Sequence, residues 1–562
     1  MRKYIIEIYK GINLIRHKGI NECILRVLEK IIYNRIINKQ LKTYINNIES
    51  VDNSIEQVNI KINPKISVVV PVYKTNIIYL KDMIESLKKQ NYNNWELCIF
   101  NGGSREPGIT ELINKYSRED SRIIYSESDK NYGISGNTNK ALEMATGEYV
   151  GLLDHDDILV NNALYECIKV INFMDVDIIY TDEDKVTDDG KYFLEEHIKS
   201  KWAPNTLLSY NYICHFLLFK SSLLKKTGKF DSNFDGSQDY DFIMRLTKEA
   251  ENIYHIPKVL YHWRISSQST ALSIDIKDYA LYSGKRALEK NIKEQNLKYK
   301  VIKGRFNGSY IYINNSNNYN KVTIVVIGKW RSKKEILKTL QYIKNKTDYK
   351  NYSFIFYNKV ILENIKIKDV RILSSNKKNY SQIMNEILEV SENEINIILD
   401  YKIKIIDNEW CKKLVTQSQE ENVYIVSGKI MKNKYIVYSN GISITNKDII
   451  EDYRNCYSKF YGYMGKNTII RNVTAVNSKA YLIKKSIANV IGVFDDNYKS
   501  EIALMDYCIK LNLKGKFVKV IPDEIFRYSK IQREDKEDKL MLLNNYKNIL
   551  KNYDLYNPIK YN

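Results

Sequence analysis

The stretch "GLLDHDDILV", residues 151–160, is an apolar run followed by three acids, and the chain contains a second version of it, "IILDYKIKII", at 397–406. Buried strands of parallel sheets have continuous apolar runs of this kind, so both stretches are predicted to be strands. The second version keeps only Asp400, whereas the first carries Asp154, Asp156 and Asp157. The chain therefore repeats a fold element without repeating its acids.

Strands and helices are predicted to alternate around the first version, from residue 66 onward. The predicted strands are "ISVVVPVY", "WELCIF", "RIIYS" and "YVGLLD", and helical patterns such as "ITELINKY" and "NTNKALEMA" separate them. Alternation of this kind predicts an α/β fold with a mostly parallel, Rossmann-like sheet covered by helices on both faces. Ligands of such sheets bind beyond the carboxyl ends of the strands.

The same order of elements starts again near residue 321, with "VTIVVIG", "YSFIFYN", "VRILSS" and "INIILD". The sequence therefore predicts a duplicated domain. A polar, Asn-rich stretch before it is predicted to be a connector. The predicted organisation is a helical N-terminal extension at 1–62, a catalytic domain at 63–294, the connector at 295–320, a degenerate second domain at 321–530 and a helical C-terminal tail at 531–562.

Composition limits the classes of function. A chain of 562 residues exceeds what one core supports, and 44% hydrophobic residues with only 7 Pro indicate globular domains. The net charge of +20 would suit nucleic acid, but the lysines form no compact basic motif, so no nucleic-acid partner is predicted. Anionic membrane surfaces or phosphorylated substrates account for the positive charge equally well.

The N-terminus and the cysteines favour a cytoplasmic location. Apolar residues recur at helical spacing through residues 5–15, with basic residues between them. This helix either packs on the body of the protein or rests a basic amphipathic face on the inner face of the membrane. The seven cysteines are scattered without a C-x-x-C pair, which indicates reduced thiols. No apolar run is long enough to span a bilayer, and no signal-peptide cleavage site is present.

Polar residues follow several of the predicted strands of the first domain. Pro71 and Tyr73 follow the first strand, Asn101 the second, and the acids follow the fourth. Asp154 and Asp156 occupy alternate positions, where two carboxylates can hold one Mn²⁺ or Mg²⁺. Such an ion helps a diphosphate to depart. Acids after a strand also occur simply as solvated loop residues or helix caps.

Two later segments carry further candidates. In "FDGSQDYDFIMRL", residues 234–246, Asp239 and Asp241 precede an amphipathic helix. Capping explains one of them, and Asp239 remains a candidate base. In "HIPKVLYHWR", residues 255–264, His262 is a candidate third metal ligand and Arg264 a candidate clamp for phosphate. The other histidines of this half, including His215 and His255, are interpreted as structural.

These motifs, together with "NYGISGNTNKALEMATGEYVGLLDHDDIL", "YTDEDK" and "NYICHFLLFK", resemble the family 2 glycosyltransferases of bacterial surface polysaccharide and protein-glycan assembly. The match is dense over residues 66–272. The resemblance implies a GT-A fold, a nucleoside-diphosphate sugar donor, a divalent metal ion at the D-x-D motif and inversion at the anomeric carbon.

The resemblance also assigns roles to single residues. Pro71 and Tyr73 would line the nucleotide pocket, and Asp239 would be the general base. His262 would face the metal or the diphosphate. The D-x-D motif is Asp154 and Asp156, with Asp156 as the more direct ligand. The residues that would lie beside the donor are Asn131, Gly133 and Asn137.

One position departs from the family pattern. Asn101 stands where the family usually has an acid that accepts the N3 hydrogen of uracil or thymine, and its amide carbonyl would accept this bond without charge. On the acceptor side, Trp202 could stack on a sugar ring, and Glu183 and Gln238 are further candidate contacts. Core or hinge roles explain Trp202 and Glu183 equally well.

The second domain is predicted to be inactive. Lys402 and Ile403 follow Asp400, and Leu504 takes the position of the base. Its predicted use is acceptor binding, homodimer formation or docking on a partner enzyme. The predicted function is therefore transfer of a sugar from dTDP-rhamnose or a UDP-sugar to a glycan carried by a lipid or by a protein such as flagellin. The alternative is a catalytically silent scaffold for other glycan-assembly enzymes.

Overall fold

The computed structural model describes residues 59–265, 274–314, 320–360, 365–375, 379–530, 535–551, 554, 556 and 557. The described residues form two compact units. The first unit comprises the described residues within 59–303 and residues 307–312, and the second comprises 304–306 and the described residues from 313 onward. The predicted N-terminal extension, 1–62, lies outside the described residues except for its last four positions.

The first unit alternates strands and helices along most of its length. Its strands are β1 (Ile66–Val72), β2 (Trp95–Asn101), β3 (Ile123–Glu127), β4 (Tyr149–Leu152), β5 (Ile158–Leu159), β6 (Ile178–Thr187), β7 (Phe193–His197), β8 (Leu217–Lys220) and β9 (Ile253–Ile265). Its helices are α1 (Ile77–Lys88), α2 (Ile109–Glu119), α3 (Gly133–Met144), α4 (Ala163–Phe173), α5 (Pro204–Leu207), α6 (Leu224–Thr227), α7 (Gln238–Glu249) and α8 (Ile274–Glu294).

The sheet of the first unit is mixed, and its centre is parallel. Its strand order is β3-β2-β1-β4-β8-β6-β9-β5, with β7 paired to β6. Strand β1 lies parallel to both β2 and β4, and all seven of its residues are buried. A strand covered on both faces needs apolar side chains at every position, which is why "ISVVVPV" shows no polar alternation. Strand β8 then enters antiparallel to β4.

The second unit repeats this pattern. Two short strands precede it along the chain, β10 (Tyr299–Lys303) and β11 (Tyr310–Asn314), and β10 and residues 310–312 of β11 belong to the first unit. The strands of the second unit are β12 (Val322–Gly328), β13 (Tyr352–Asn358), β14 (Val370–Ser374), β15 (Ile395–Asp400), β16 (Lys404–Ile405), β17 (Val423–Met431), β18 (Val437–Ser439), β19 (Ile442–Ile444), β20 (Ile449–Glu451), β21 (Arg471–Asn472), β22 (Ala480–Lys484) and β23 (Phe517–Arg527). The helices are α9 (Lys333–Asn345), α10 (Tyr380–Val390), α11 (Trp410–Gln417), α12 (Ile487–Ile491), α13 (Ile502–Leu513) and α14 (Lys536–Asn545).

The strand order of the second sheet confirms the predicted duplication. It runs β14-β13-β12-β15-β22-β17-β23-β16, with β18 paired to β17. Each strand except β21, which pairs with β23, thus has a counterpart at the same place in the first sheet, down to the two-residue edge strands β5 and β16 and the extra strands β7 and β18. The predicted fold class, an α/β GT-A fold with a Rossmann-like mixed sheet present twice, is confirmed.

Counterpart residues follow from the strand registers. Ile66 pairs with Tyr149 in the first sheet, and Val322 pairs with Ile395 in the second. Tyr149 therefore corresponds to Ile395, and counting five residues along each chain makes Asp400 the counterpart of Asp154. This result agrees with the alignment of the two sequence stretches.

The predicted connector at 295–320 is not a structureless linker. Strands β10 and β11 form a two-stranded sheet within it. Tyr310 and Tyr312 are buried, and the Tyr310 N–H donates to the Ser209 carbonyl at 2.7 Å. The Asn-rich flanks hid this short alternating pattern.

Of the predicted C-terminal tail, 531–562, the described part contains helix α14. Within the described residues, no helix combines the length and the apolar character needed to cross a membrane.

Candidate functional site

The carboxyl ends of the central strands bring the predicted site residues to one edge of the first sheet. Val72 pairs with Asn101, and Val69 pairs with Leu152. Because β1, β2 and β4 run parallel, the residues after each strand emerge together at this edge. Tyr73 and Asp154 therefore lie on neighbouring strand ends, as the sequence predicts, and Pro71 is buried within β1 opposite Phe100.

Asn101 is held by its own loop. Asn101 is 1% exposed, and its side-chain amide oxygen accepts from the Ser104 N–H at 2.9 Å. Its amide group also lies 3.4 Å from the Tyr125 hydroxyl. An amide oxygen has two lone pairs, so a second hydrogen bond, to a nucleobase, is chemically available to it.

The start of helix α3 forms a compact polar turn. The Asn131 side-chain oxygen accepts from the Gly133 N–H at 3.0 Å and from the Asn137 amide at 2.9 Å. Gly133 has φ of 76°, a left-handed conformation that favours glycine. A side chain at Gly102 would overlap the Asn137 amide, so the loop after β2 packs directly on this turn. Asn137 thus ties the two loops together, while Asn131 is exposed.

The three acids after β4 divide into two roles. Asp157 is fully buried, and its carboxylate accepts from the Tyr261 hydroxyl and from the Arg264 N–H. The side chains of Asp154 and Asp156 are 45% and 27% exposed. Burial raises the pKa of Asp156, and the neighbouring charge of Asp154 raises it further. A divalent cation would relieve this repulsion, so the two accessible carboxylates fit such an ion.

The structure does not bring His262 to these acids. His262 lies in β9 beside β6, where its Nδ1 bonds to Asp184 at 2.5 Å and its ring packs on Phe193. Among the described residues, no three His, Cys, Asp or Glu side chains converge as a metal site. Of the predicted set of Asp154, Asp156 and His262, only the two acids therefore lie together after β4.

His215 faces Asp154, a position that the sequence interpretation missed, and His155 lies beside the second acid, with its Nδ1 3.8 Å from the Asp156 Oδ1. The Nε2 of His215 lies 3.8 Å from the Asp154 Oδ2. Leu217 pairs with Leu152 in the antiparallel β8–β4 ladder, which places the residues before β8 against those after β4. The pairing of β8 with β4 could not be read from the sequence. His255, by contrast, bonds to the buried Asp182 and is structural, as interpreted.

Asp239 lies in the first turn of α7, near the acids. Its carboxylate accepts from the Asn211 amide at 2.9 Å. Burial raises the pKa of Asp239, and the Asp154 charge acts in the same direction, while the charge of His215 opposes them. Asp241 instead pairs with Arg245 at 2.7 Å within the helix. Of the two acids in this motif, Asp239 alone therefore remains a candidate base.

The predicted acceptor residues do not form one surface patch. Glu183 is 5% exposed and bonds to His197 at 2.9 Å and to Lys199 at 3.1 Å. Burial raises the pKa of Glu183, but the Lys199 charge and the His197 hydrogen bond outweigh it and lower the pKa below its usual range. Glu183 thus organises the core. Gln238 accepts from the Gly236 N–H at 2.9 Å at the start of α7, and Trp202 is half-buried.

Arg264 is likewise not free to clamp a phosphate. Its side chain is completely buried, and its Nε donates to the Asp156 carbonyl at 2.8 Å. Its two terminal nitrogens donate to the Asp188 carbonyl and to the Asp82 carboxylate, both at 2.9 Å. The guanidinium therefore holds the loop after β4 in place through hydrogen bonds. This structural role could not be read from the "HWR" motif.

Comparison with known proteins agrees with this geometry. The family model described as Glycosyl transferase family 2 matches residues 67–228. An uncharacterized glycosyltransferase of Methanocaldococcus jannaschii, MJ1057, is 30% identical over 226 residues, which cover 39% of this chain and 77% of that protein.

Two longer relatives match both units. The uncharacterized protein y4gI of Sinorhizobium fredii is 31% identical over 80% of this chain and 51% of its own length. The O-antigen biosynthesis protein RfbC of Myxococcus xanthus is 24% identical over 80% of this chain and 36% of its own length. The chain thus spans about half of the length of the first of these curated relatives and about a third of the second.

Proposed function

The chain belongs to glycosyltransferase family 2, and on this premise we propose that its first unit transfers a sugar from a nucleoside-diphosphate sugar to a hydroxyl group of a growing glycan, with inversion at the anomeric carbon. The observation that carries the proposal is the meeting of Asp154, Asp156 and Asp239 at one sheet edge, although they come from separate parts of the chain. Burial and, to a smaller extent, the charge of Asp154 raise the pKa values of both Asp156 and Asp239, and perturbed carboxylates at one sheet edge indicate a site for chemistry.

In the proposed mechanism, Asp154 and Asp156 hold a divalent cation, Mn²⁺ or Mg²⁺. When bound, this ion neutralises the diphosphate leaving group. Asp239 removes the proton of the acceptor hydroxyl, and burial makes its carboxylate a stronger base than an exposed aspartate. The amide of Asn211 donates to one carboxylate oxygen of Asp239 and so helps to fix the orientation of the proposed base.

The donor side is proposed at the ends of β1 and β2. Tyr73 and Asn101 would contact the nucleotide, and the turn at Asn131 and Gly133 would border the donor. Because the Asn101 oxygen accepts without charge, either a UDP-sugar or dTDP-rhamnose fits this side. A glycan on a lipid or on a protein is the proposed acceptor, and the name of the RfbC relative supports a surface polysaccharide. We place the reaction in the cytoplasm, at or near the inner face of the membrane.

The second unit is proposed to be inactive because its own side chains fill the corresponding edge. Trp330 is 2% exposed, and its backbone makes two hydrogen bonds of 3.0 Å with the side chain of Asn358, the counterpart of Asn101. The indole packs 5.7 Å from the Tyr401 ring, directly above Gly328. An indole thus occupies the edge where the first unit would hold a nucleotide.

The acids of the first unit are also missing in the second. Lys402 and Ile403 follow Asp400, and the fully buried Leu504 replaces the base. Without a metal pair or a base, this edge lacks the groups that the transfer needs. We propose that the second unit serves acceptor binding or assembly, including formation of a homodimer.

The test is a panel of sugar nucleotides assayed for Mn²⁺-dependent release of the nucleoside diphosphate. We expect activity with at least one UDP- or dTDP-sugar, loss of activity in EDTA, and a fall of roughly 10²- to 10⁴-fold in Asp239→Asn. The matched control is Asp400→Asn, which removes the counterpart acid of the second unit and should leave the rate unchanged.

The silent-scaffold alternative predicts a different result in the same panel. A bound donor at 100 times its Kd would stabilise the protein by about 2.7 kcal/mol. If no nucleotide raises the melting temperature in the presence of Mn²⁺ and none is turned over, the scaffold replaces the transferase as the better account.

A further inference from the structure

Buried neighbours fix both the backbone and the imidazole ring of His215. Its N–H donates to the buried carboxylate of Glu183 at 3.0 Å, and the ammonium group of Lys199 donates to its carbonyl oxygen. The imidazole lies flat on the Tyr261 ring, with centroids 4.8 Å apart and an angle of 12° between the planes. Backbone and ring are thus both fixed by groups that are themselves buried.

One edge of this fixed imidazole faces the open side of the site. The side chain is 21% exposed, and Nε2 lies 3.8 Å from the Oδ2 of Asp154. This separation is too long for a direct hydrogen bond. It suits one oxygen atom placed about 2.8 Å from both groups. A hydroxyl group can fill this place, because it donates to the carboxylate and accepts from the imidazole N–H.

The second unit supplies a comparison within the same chain. Tyr149 pairs with Lys220, and Ile395 pairs with Lys484, so the counterpart of His215 is Lys479. Its ammonium group also lies 3.8 Å from the counterpart acid, Asp400. The two copies therefore keep a nitrogen donor at the same distance from the first acid.

The copies differ in what satisfies this donor. Lys479 bonds to Glu501 at 2.8 Å and is only 6% exposed. Matching the ion pair of Asp241 and Arg245 with that of Asp506 and Lys510 makes Gly236 the counterpart of Glu501. The first unit thus has glycine at the position from which the second unit supplies the carboxylate that binds its donor. In the second unit the nitrogen donor is thus covered by a carboxylate of the same unit, whereas in the first unit the His215 side chain is 21% exposed.

From this contrast we infer that His215 is a specificity-determining residue: its Nε2–H and the Asp154 carboxylate together bind one hydroxyl group of the transferred sugar. The inference rests on the proposed function and adds the group that selects the sugar. The site would favour donors that carry this hydroxyl over the matching deoxy sugars, because an analogue without it leaves two polar groups unpaired.

Two variants separate this role from a structural one. His215→Phe keeps a flat ring to stack on Tyr261 but has no donor, whereas His215→Gln loses the ring and carries an N–H at nearly the reach of Nε2. We expect His215→Gln to stay within about threefold of the wild-type kcat/KM for the donor and His215→Phe to fall by roughly 10- to 100-fold. Stacking as the only role predicts the reverse order, and that result would overturn the inference.

A second measurement compares each donor sugar that the wild type uses with its single-deoxy analogues. The wild type should disfavour one analogue by roughly 10-fold or more, and this preference should disappear in His215→Phe. A wild type that treats every analogue like the parent sugar would mean that the gap holds only water, and the inference would be wrong. Melting temperatures of both variants separate a loss of folding from a loss of selectivity.

Failure of the proposed function gives a different result. A wild-type protein that turns over no sugar nucleotide overturns both proposals before any variant is measured. Normal wild-type turnover with an unaltered His215→Phe overturns the inference about His215 alone.

Discussion

Replacement of Arg264 by methionine tests the largest disagreement between the sequence motif and the structure. The motif predicts a phosphate clamp, whereas the structure places the guanidinium, completely buried, behind the loop that carries Asp154 and Asp156. Methionine fills a similar volume with an unbranched apolar chain, so Arg264→Met removes the charge and the donors while leaving little cavity.

The expected cost follows from the partners that lose a donor. The carbonyl oxygens of Asp156 and Asp188 each lose a charged donor, at about 1–3 kcal/mol apiece. The Asp82 carboxylate is 39% exposed, so water replaces its partner and the ion pair adds only about 0–1 kcal/mol. We therefore expect the free energy of unfolding of the first unit to fall by about 2–7 kcal/mol, the sum of these contributions.

The assay is pulse proteolysis of the full chain at increasing urea concentration, with fragments of the first unit identified by mass spectrometry. The control is Arg118→Met, which removes an exposed arginine of α2 and should change the unfolding free energy by less than about 0.5 kcal/mol. An unchanged unfolding midpoint for Arg264→Met, together with a large rise in the KM for the donor, would restore the phosphate clamp and refute this reasoning.

Three further predictions concern titratable side chains of the first unit. His262→Gln should lower the melting temperature, because the contact with Asp184 is lost, and should leave the affinity for Mn²⁺ unchanged. A weaker Mn²⁺ affinity of the variant, measured by electron paramagnetic resonance, would show that His262 is a metal ligand. Burial raises the pKa of Asp239, so kcat/KM should fall on acidification with a midpoint above about 3.9, the pKa of a free aspartate. A rate that stays constant down to pH 4 would exclude Asp239 as the base. The fold lowers the pKa of Glu183, so its contribution to stability is present above its unfolded pKa, about 4.3, and is lost as the pH falls toward the folded pKa. Glu183→Gln should therefore remove this part of the pH dependence of the unfolding free energy. The same pH dependence in the variant and the wild type would contradict this role of Glu183.

The sequence predicts the sheets well because burial on both faces leaves a direct trace in composition. Strands such as β1 and β12 are continuous apolar runs, and the polar residues at their carboxyl ends locate the edge. The repeat could be recognised for the same reason. The sequence does not predict the two-stranded sheet of β10 and β11, because its alternating tyrosines lie among asparagines that indicate a loop.

The errors in the site come from pairings that the sequence does not specify. His262 and Arg264 stand in a motif near the chemistry, but the register of β9 against β6 sets His262 beside Asp184. His215 joins the site because β8 runs antiparallel to β4 and brings its start to the end of that strand. A single sequence identifies residues with suitable chemistry, and only the pairing of the strands identifies which of them meet.

The two copies also differ in how each edge balances its charge. In the second unit, Lys479 lies between Asp400 and Glu501, so the acids at that edge already have a cation that belongs to the chain. In the first unit, Asp156 and Asp239 both have pKa values raised by burial and by the charge of Asp154. Such repulsion destabilises the folded chain unless a ligand relieves it. The first unit has His215 in place of this lysine, and the divalent cation proposed for Asp154 and Asp156 would supply the positive charge that Lys479 supplies in the second unit.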